Sequence, residues 1–365
     1  MHFVFVSYNY SPDFKSPQDW ITRINIYAGS LACLAQTDTV TRVEQIGYEG
    51  EYMHNGIRYC FTNFPDKKSK FQGQLNRFVK QLNPDVVVVH GLHYPLQVLQ
   101  LSLTLGKSVK IIAQNHAEKP FTGIKKYVQL VADNYISAYF FASKAMGLDW
   151  VKKGNLKSPA KIQEVMEISS VFSSMGKELA RQKTNITGKP VFLWVGRLNE
   201  NKDPLNVVKA FLQYATVKPA AKLYMLYHTE ELLDQINELL NSAINKDAIQ
   251  LIGKVPHQEL LYWYNSADFF ISGSFYEGSG TAVCEAMSCG CVPVVTNIFS
   301  FRTITDNGNC GILYEAGSET ALLNALIQTD QLDLKEKQEQ CLQYFKEELS
   351  FEAIAVKMHD IAHSL

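Results

Sequence analysis

No stretch of this chain reaches the roughly 18 consecutive apolar residues of a membrane-spanning helix. The opening run Met1-His2-Phe3-Val4-Phe5-Val6-Ser7 has no basic leader and stops at polar Tyr8-Asn9-Tyr10, which predicts a first strand rather than a signal peptide. Cysteine is sparse, with seven residues (33, 60, 284, 289, 291, 310 and 341) scattered over 365, and the odd number argues against a disulfide framework. Reduced thiols in a cytoplasmic compartment are expected. Cys284, Cys289, Cys291 and Cys310 lie near one another in sequence but form no C-x2-C pair, so no metal site is expected there. The chain also lacks a G-x4-G-K-[ST] loop and a post-strand G-x-G-x-x-G, which disfavours ATPase and NAD-dependent readings. Short-period repeats and low-complexity segments are missing too.

What is present reads as a globular protein: 46% hydrophobic, 19% charged and 12% aromatic, in a length that suits two domains. The net charge of −1 hides an asymmetry. Residues 1–165 hold 19 Lys+Arg against 12 Asp+Glu, and the remainder of the 35 and 36 leaves 16 against 24. Part of the basic excess lies at 67–80, where Phe71, Leu75, Phe78 and Val79 share one side of a helical pattern and lysines surround them. That pattern fits a solvated surface helix or contact with an anionic membrane or acceptor.

Short β-branched runs alternate with helical segments, which predicts parallel sheets covered by helices. In the first half strands are expected at 3–7, 85–90, 109–114 and 139–142, with helices at 19–35 and 92–105. Gly188-Lys189-Pro190 punctuates the chain. A second series follows: strands at 191–195, 222–227, 249–252, 269–272 and 292–296, with helices at 204–214, 230–242, 258–266 and 281–289. The tail from Leu349 has a serine cap and helical spacing. Two doubly wound units in tandem would place ligands at the carboxyl ends of their strands.

Chemistry concentrates in three places. After the strand at 191–195, Gly196-Arg197-Leu198-Asn199-Glu200-Asn201-Lys202-Asp203-Pro204 sets two cations five residues apart, one a planar fork and one a mobile point charge, suited to a diphosphate. Further on, Glu277-Gly278-Ser279-Gly280-Thr281-Ala282-Val283-Cys284-Glu285 puts two carboxylates eight residues apart around a glycine turn that opens a helix. Ser279-Gly280 permits close backbone approach, and the helix start at Thr281 offers N–H groups to a polar, phosphorylated ligand. The two glutamates could bind different hydroxyls of one ligand, or serve only as carboxylates complementing a helix dipole. In the first half, Gln114-Asn115-His116-Ala117-Glu118 places a histidine at a strand end, and His90-Gly91-Leu92-His93 ends the preceding strand.

Together these motifs resemble the retaining GT-B glycosyltransferases of family 4, the group 1 type, whose usual form around the glutamates is E-G-F-G-L-P-x-x-E-A-M-A-x-G. The resemblance spans nearly all of the second half, including the G-R-L-x-x-x-K-G element at Gly196, and only thinly the first. It implies an α/β fold of two Rossmann-like doubly wound parallel-sheet domains facing a cleft. Residues 1–170 would form an acceptor-side domain, to which a C-terminal helix at 346–365 crosses back, and 171–345 would bind the nucleotide sugar. On this likeness Arg197 and Lys202 would hold the diphosphate, Glu277 the transferred sugar, Glu285 the ribose, and backbone N–H groups at Ser279, Gly280 and Thr281 the sugar hydroxyls. Ile249-Gln250-Leu251-Ile252-Gly253-Lys254-Val255 resembles the region where backbone near Lys254 and Val255 meets the nucleobase, with uracil expected ahead of guanine. His116 matches a histidine that touches the donor sugar.

The implied activity is metal-independent transfer of a hexose from a nucleotide diphosphate sugar to a saccharide or lipid-linked hydroxyl in cell-surface glycan synthesis. No tightly bound cofactor and no nucleic acid partner are implied. Location would be cytoplasmic, with peripheral contact at the inner membrane face through the basic first domain. An epimerase or phosphorylase on the same scaffold, or a silent binding subunit, is the alternative. Three departures stand out. The usual G-G loop after the first strand is replaced by Tyr8-Asn9-Tyr10-Ser11-Pro12, the common N-G-V-D turn by Glu167-Ile168-Ser169-Ser170, and the frequent Phe and Pro by Ser279 and Ala282.

Overall fold

The computed structural model describes all 365 residues, in two compact units: Met1–Ser169 with Ser350–Leu365, and Ser170–Leu349. The first unit is built on an eight-stranded sheet of β1 (His2–Ser11), β2 (Thr39–Ile46), β3 (Gly50–His54), β4 (Ile57–Thr62), β5 (Val86–His90), β6 (Lys110–Gln114), β7 (Ala138–Phe141) and β8 (Ile162–Glu164). Their order across the sheet is β3-β4-β2-β1-β5-β6-β7-β8, parallel throughout except for the β3–β4 hairpin. Val86 through Val89 are fully buried, as a strand covered on both faces requires. The direction of travel reverses between β1 and β5, so the loops that leave the carboxyl ends there diverge and open a crevice.

Three expectations are revised in this unit. The helix at 19–35 is two helices, Pro17–Arg23 and Asn25–Leu34, parted at buried Ile24, whose backbone (φ −107°, ψ 11°) leaves the helical region. The helical pattern at 67–80 becomes helix only over Gly73–Gln81, where Leu75 and Val79 are fully buried in the unit's own core, while Phe71 ahead of the helix is exposed. Upstream, Lys67 and Lys68 lie over the Tyr10 ring. Strands β2, β3, β4 and β8 are not among the expected ones, although Asn55-Gly56, both at positive φ (48° and 78°), is the two-residue turn that hairpins favour.

The second unit has six strands, β9 (Val191–Gly196), β10 (Lys222–Tyr227), β11 (Ile249–Gly253), β12 (Phe269–Ser272), β13 (Val292–Thr296) and β14 (Ile312–Tyr314). They are all parallel in the order β11-β10-β9-β12-β13-β14. The first five of these, β9 to β13, agree with the expected spans to within a residue. The winding reverses between β9 and β12, which singles out the loops after Gly196 and after Ser272 as the binding crevice of a doubly wound sheet. No helix is long and apolar enough to cross a membrane.

The last helix, Phe351–Ser364, packs on Asn25–Leu34 in the first unit, and Ser350 caps it by accepting from the Ala353 N–H at 3.1 Å. The Phe351 ring lies flat on Gly29, so that a Cβ there would sit 2.6 Å from three ring carbons. Alanine is the better helix former by up to ~1 kcal/mol, whereas overpacking a filled site costs ~1–3 kcal/mol. Gly29→Ala is therefore expected to lower the denaturation midpoint of the full-length chain, and an unchanged or raised midpoint would show that the ring yields freely.

Candidate active site

In the second unit the crevice is formed by two loops tied together. Buried Val191–Trp194 carry β9 through the core, and Arg197 emerges exposed just past its end. Asn199 then caps a short 3-10 turn, Glu200–Lys202, by accepting the Lys202 N–H at 3.2 Å. Asp203 takes the left-handed conformation (φ 47°, ψ 49°), the one a glycine adopts without steric cost, and Pro204 opens the next helix. The Asp-Pro pair thus reproduces the glycine turn.

The loop after β12 lies against this turn. A Cβ on Gly273 would meet the Lys202 carbonyl oxygen at 3.1 Å, so the approach depends on glycine. The Phe275 N–H donates to the Asn201 carbonyl (2.9 Å), Asn201 Nδ2 donates to the Tyr276 carbonyl (3.0 Å), and Lys202 Nζ meets Glu277 Oε1 at 2.5 Å. Two residues singled out from separate motifs, Lys202 and Glu277, are therefore in direct contact.

Helix Thr281–Ser288 follows, entered through Gly280 at φ 59°. A Cβ at Gly280 would also press on Phe301 and Ile304 at 2.8–2.9 Å, so conformation and packing both demand glycine. Glu285 points into the unit, only 4% exposed, where it accepts from His257 Nε2 (2.8 Å) and the Tyr264 hydroxyl (2.9 Å). His257 rests on the Phe172 ring, 5.0 Å between centroids, and closes the segment that carries exposed Lys254 and half-buried Val255. Its hydrogen bond to Glu285 raises its pKa above 6.5 against the opposing effect of burial. Burial pushes the Tyr264 hydroxyl well above its usual range, keeping it a donor.

In the first unit, the carboxyl ends of β5 and β6 meet in a cluster of histidines and carboxylates. Glu118, 5% exposed, accepts from the N–H groups of Leu92 (2.9 Å) and His116 (2.6 Å) and from Asn115 Nδ2 (2.8 Å), with His93 Nε2 at 3.5 Å. Its Oε1 also crowds Gly91, where a Cβ would come within 3.1 Å. His116 Nδ1 pairs with Glu167, and His116 Nε2 lies 3.1 Å from His90 Nδ1. Burial, helped by the Arg42 guanidinium and by His93, lowers the His116 pKa to about 4, and burial holds His90 well below 6.5. Both rings are then neutral near pH 7, with His116 donating to Glu167 and accepting from His90.

Sequence motifs identified Arg197, Lys202, Glu277, Glu285 and His116, but not the groups that hold them. His257 stands two residues past Val255 and Glu118 two residues past His116, whereas nothing local marks Tyr264 or Glu167 as partners. His116 lies in the first unit and the other four in the second.

Comparison with known proteins bears on this geometry. Residues 176–348 match the family described as glycosyl transferases group 1. The chain is similar to an O-antigen chain mannosyltransferase B of Escherichia coli, 32% identical over 100 residues that cover 27% of this chain and 26% of that protein. It therefore spans about a quarter of that relative's length. The fold resembles a glycosyltransferase from Rickettsia africae, with TM-score 0.74 and 15% identity over 100% of this chain and 97% of the other. It also resembles Anabaena HepE in complex with UDP and glucose, with TM-score 0.68, 13% identity and complete coverage of both chains.

The His257–Glu285 bond has a measurable signature. Since the folded value of His257 lies above the ordinary 6.5, the pair's contribution to stability is complete below that pH and fades as pH rises through the folded value. NMR titration is expected to find His257 above 6.5 and to find it lowered in Glu285→Gln; the same value in both proteins would sever the link.

Proposed function

We propose that this chain, whose residues 176–348 match the group 1 glycosyl transferases, moves a hexose from a nucleoside diphosphate sugar to a hydroxyl of a saccharide or lipid-linked acceptor, with retention at the anomeric carbon. The observation that carries this reading is the Lys202–Glu277 contact at 2.5 Å. It joins the cation loop to the glutamate loop at the reversal of the sheet's winding, so that a cation and a carboxylate meet where diphosphate and sugar must lie side by side.

The chemistry follows from these groups. A partly exposed ion pair is worth ~0–1 kcal/mol, so phosphate oxygens can draw Lys202 away at little cost. Glu277 is then available to accept from sugar hydroxyls, while exposed Arg197 offers its fork to the diphosphate. As the bond from the anomeric carbon to the phosphate oxygen breaks, both cations stabilise the charge left on the diphosphate. The acceptor oxygen bonds to the same face of that carbon, and its proton passes to the departing diphosphate. Arg197 and Lys202 do the work that a divalent ion does elsewhere, so turnover needs neither metal nor resident cofactor. A carboxylate has about four lone-pair sites; Glu285 uses two on His257 and Tyr264 and keeps the others for the ribose. Backbone at Lys254 and Val255 meets the base, and N–H groups from Ser279 to Thr281 meet the sugar. For neutral His116, held by Glu167 in the first unit, the role of touching the donor sugar comes from the family likeness alone. UDP is favoured over GDP, in keeping with the UDP bound by the similarly folded HepE. Likeness to an O-antigen mannosyltransferase favours cell-surface glycan as the product.

Peripheral membrane contact belongs to helix Gly123–Ala132 rather than to the segment at 67–80. Ile124, Tyr127, Val131 and Tyr135 form an exposed stripe at helical spacing, bordered by Lys119, Lys125 and Lys126, a combination suited to anionic lipid. Co-sedimentation with phosphatidylserine vesicles is expected for the wild type and reduced in Ile124→Glu; equal binding would remove this assignment.

Arg197→Ala and Lys202→Ala are each expected to lower turnover at least ~100-fold, because losing one such donor costs ~3–4 kcal/mol. Near-normal turnover in either variant would defeat the diphosphate assignment. In a thermal-shift screen of UDP- and GDP-sugars, the true donor should add ~2.7 kcal/mol at ~100 times its dissociation constant. Stabilisation by none of them would overturn the reading, and binding without donor hydrolysis or transfer would leave a silent binding protein.

A further inference from the structure

Asp38 stands just before β2 with its side chain 1% exposed, facing the last helix of the chain. Its Oδ2 accepts from the Thr37 hydroxyl at 3.0 Å and lies 2.7 Å from His359 Nδ1; its Oδ1 accepts from the Met1 amino group at 2.7 Å. His363, one turn further along the helix, brings Nε2 to 3.6 Å from Oδ1. The two imidazoles are 4.1 Å apart between centroids. One ligand atom from each of the three side chains falls within 4.8 Å of the others.

A hydrogen-bonded carboxylate explains His359 but not His363. A side chain 43% exposed has water available, yet its Nε2 is aimed at a buried carboxylate from 3.6 Å, beyond hydrogen-bond range. Donors ~2.0–2.2 Å from a common tetrahedral ion stand about 3.4 Å apart; His359 Nδ1 lies 2.7 Å from Oδ2, His363 Nε2 lies 3.6 Å from Oδ1, and one donor atom of each residue is within 4.8 Å of the others.

We propose that Asp38, His359 and His363 bind a divalent transition metal of the zinc class, two imidazoles and one carboxylate being a set that suits zinc better than magnesium or calcium. Water supplies the fourth position, since both imidazoles are partly open to solvent. Oδ1 also accepts from the Met1 amino group, so the carboxylate is oriented by a neighbouring donor as metal-bound carboxylates are. The ion clips helix Phe351–Ser364 to the start of β2 and takes no part in sugar transfer. None of its ligands belongs to the groups assigned to the reaction.

The test uses the untagged full-length protein after chelator treatment. Expected are one equivalent of zinc in competition with a chromophoric chelator, a raised thermal midpoint, and the visible absorption of four-coordinate cobalt with Co²⁺ in its place. His363→Asn, at a half-exposed position that leaves folding intact, should weaken zinc at least ~10-fold and abolish the cobalt spectrum. His359→Gln should do likewise, whereas Arg197→Ala should bind as wild type does. Equal zinc affinity in wild type and His363→Asn, or no cobalt spectrum in the wild type, would overturn the proposal.

Discussion

Parallel strands buried on both faces give polar side chains no exit except at strand ends, and this constraint organises both units. Val86–Val89 in the first and Val191–Trp194 in the second are sealed from water. Each run therefore delivers its first functional group only where the strand stops, at His90 and at Arg197. Where the winding reverses, two such ends lie side by side with their outgoing loops diverging, so groups distant in sequence are neighbours in space. Lys202 and Glu277, separated by 75 positions, meet for this reason.

Once chemistry is confined to the strand ends, the carboxylates there must have their oxygens partnered. Glu118 and Glu285 are nearly as buried as the core valines, and each is kept by donors converging from different segments. Burying such a group unpaired would cost several kcal/mol, of the order of the stability of a whole domain. The supporting residues, Asn115, His257 and Tyr264, are thus as necessary to the site as the groups they position.

This division decides how much could be read from sequence. Strands β9 to β13 are legible because they are short, largely apolar runs separated by clear turns. Arg197, Lys202, Glu277 and Glu285 were legible because their spacing is fixed within single loops. The partners were not, because Tyr264 reaches Glu285 across 21 residues and Glu167 reaches His116 across 51, distances over which no local pattern survives. The break at Ile24 has no marker residue, neither proline nor glycine, and nothing in the structure around it explains the break. Strands β2 and β4 were obscured by polar residues such as Arg42 and Glu44, which are buried as a mutual ion pair. The Asn55-Gly56 turn is the one local signal of the β3–β4 hairpin.

The first unit is discontinuous in the chain, since Ser350–Leu365 complete it after 180 residues of the second have intervened. During synthesis at ~5–20 residues per second, those intervening residues take about 10–40 s to emerge. Throughout that interval the face of helix Asn25–Leu34 around Gly29 has no cover, while the second unit, contiguous from Ser170 to Leu349, can close on its own. Biogenesis thus runs against the order of the gene: the half of the protein that is made first is the half that is finished last.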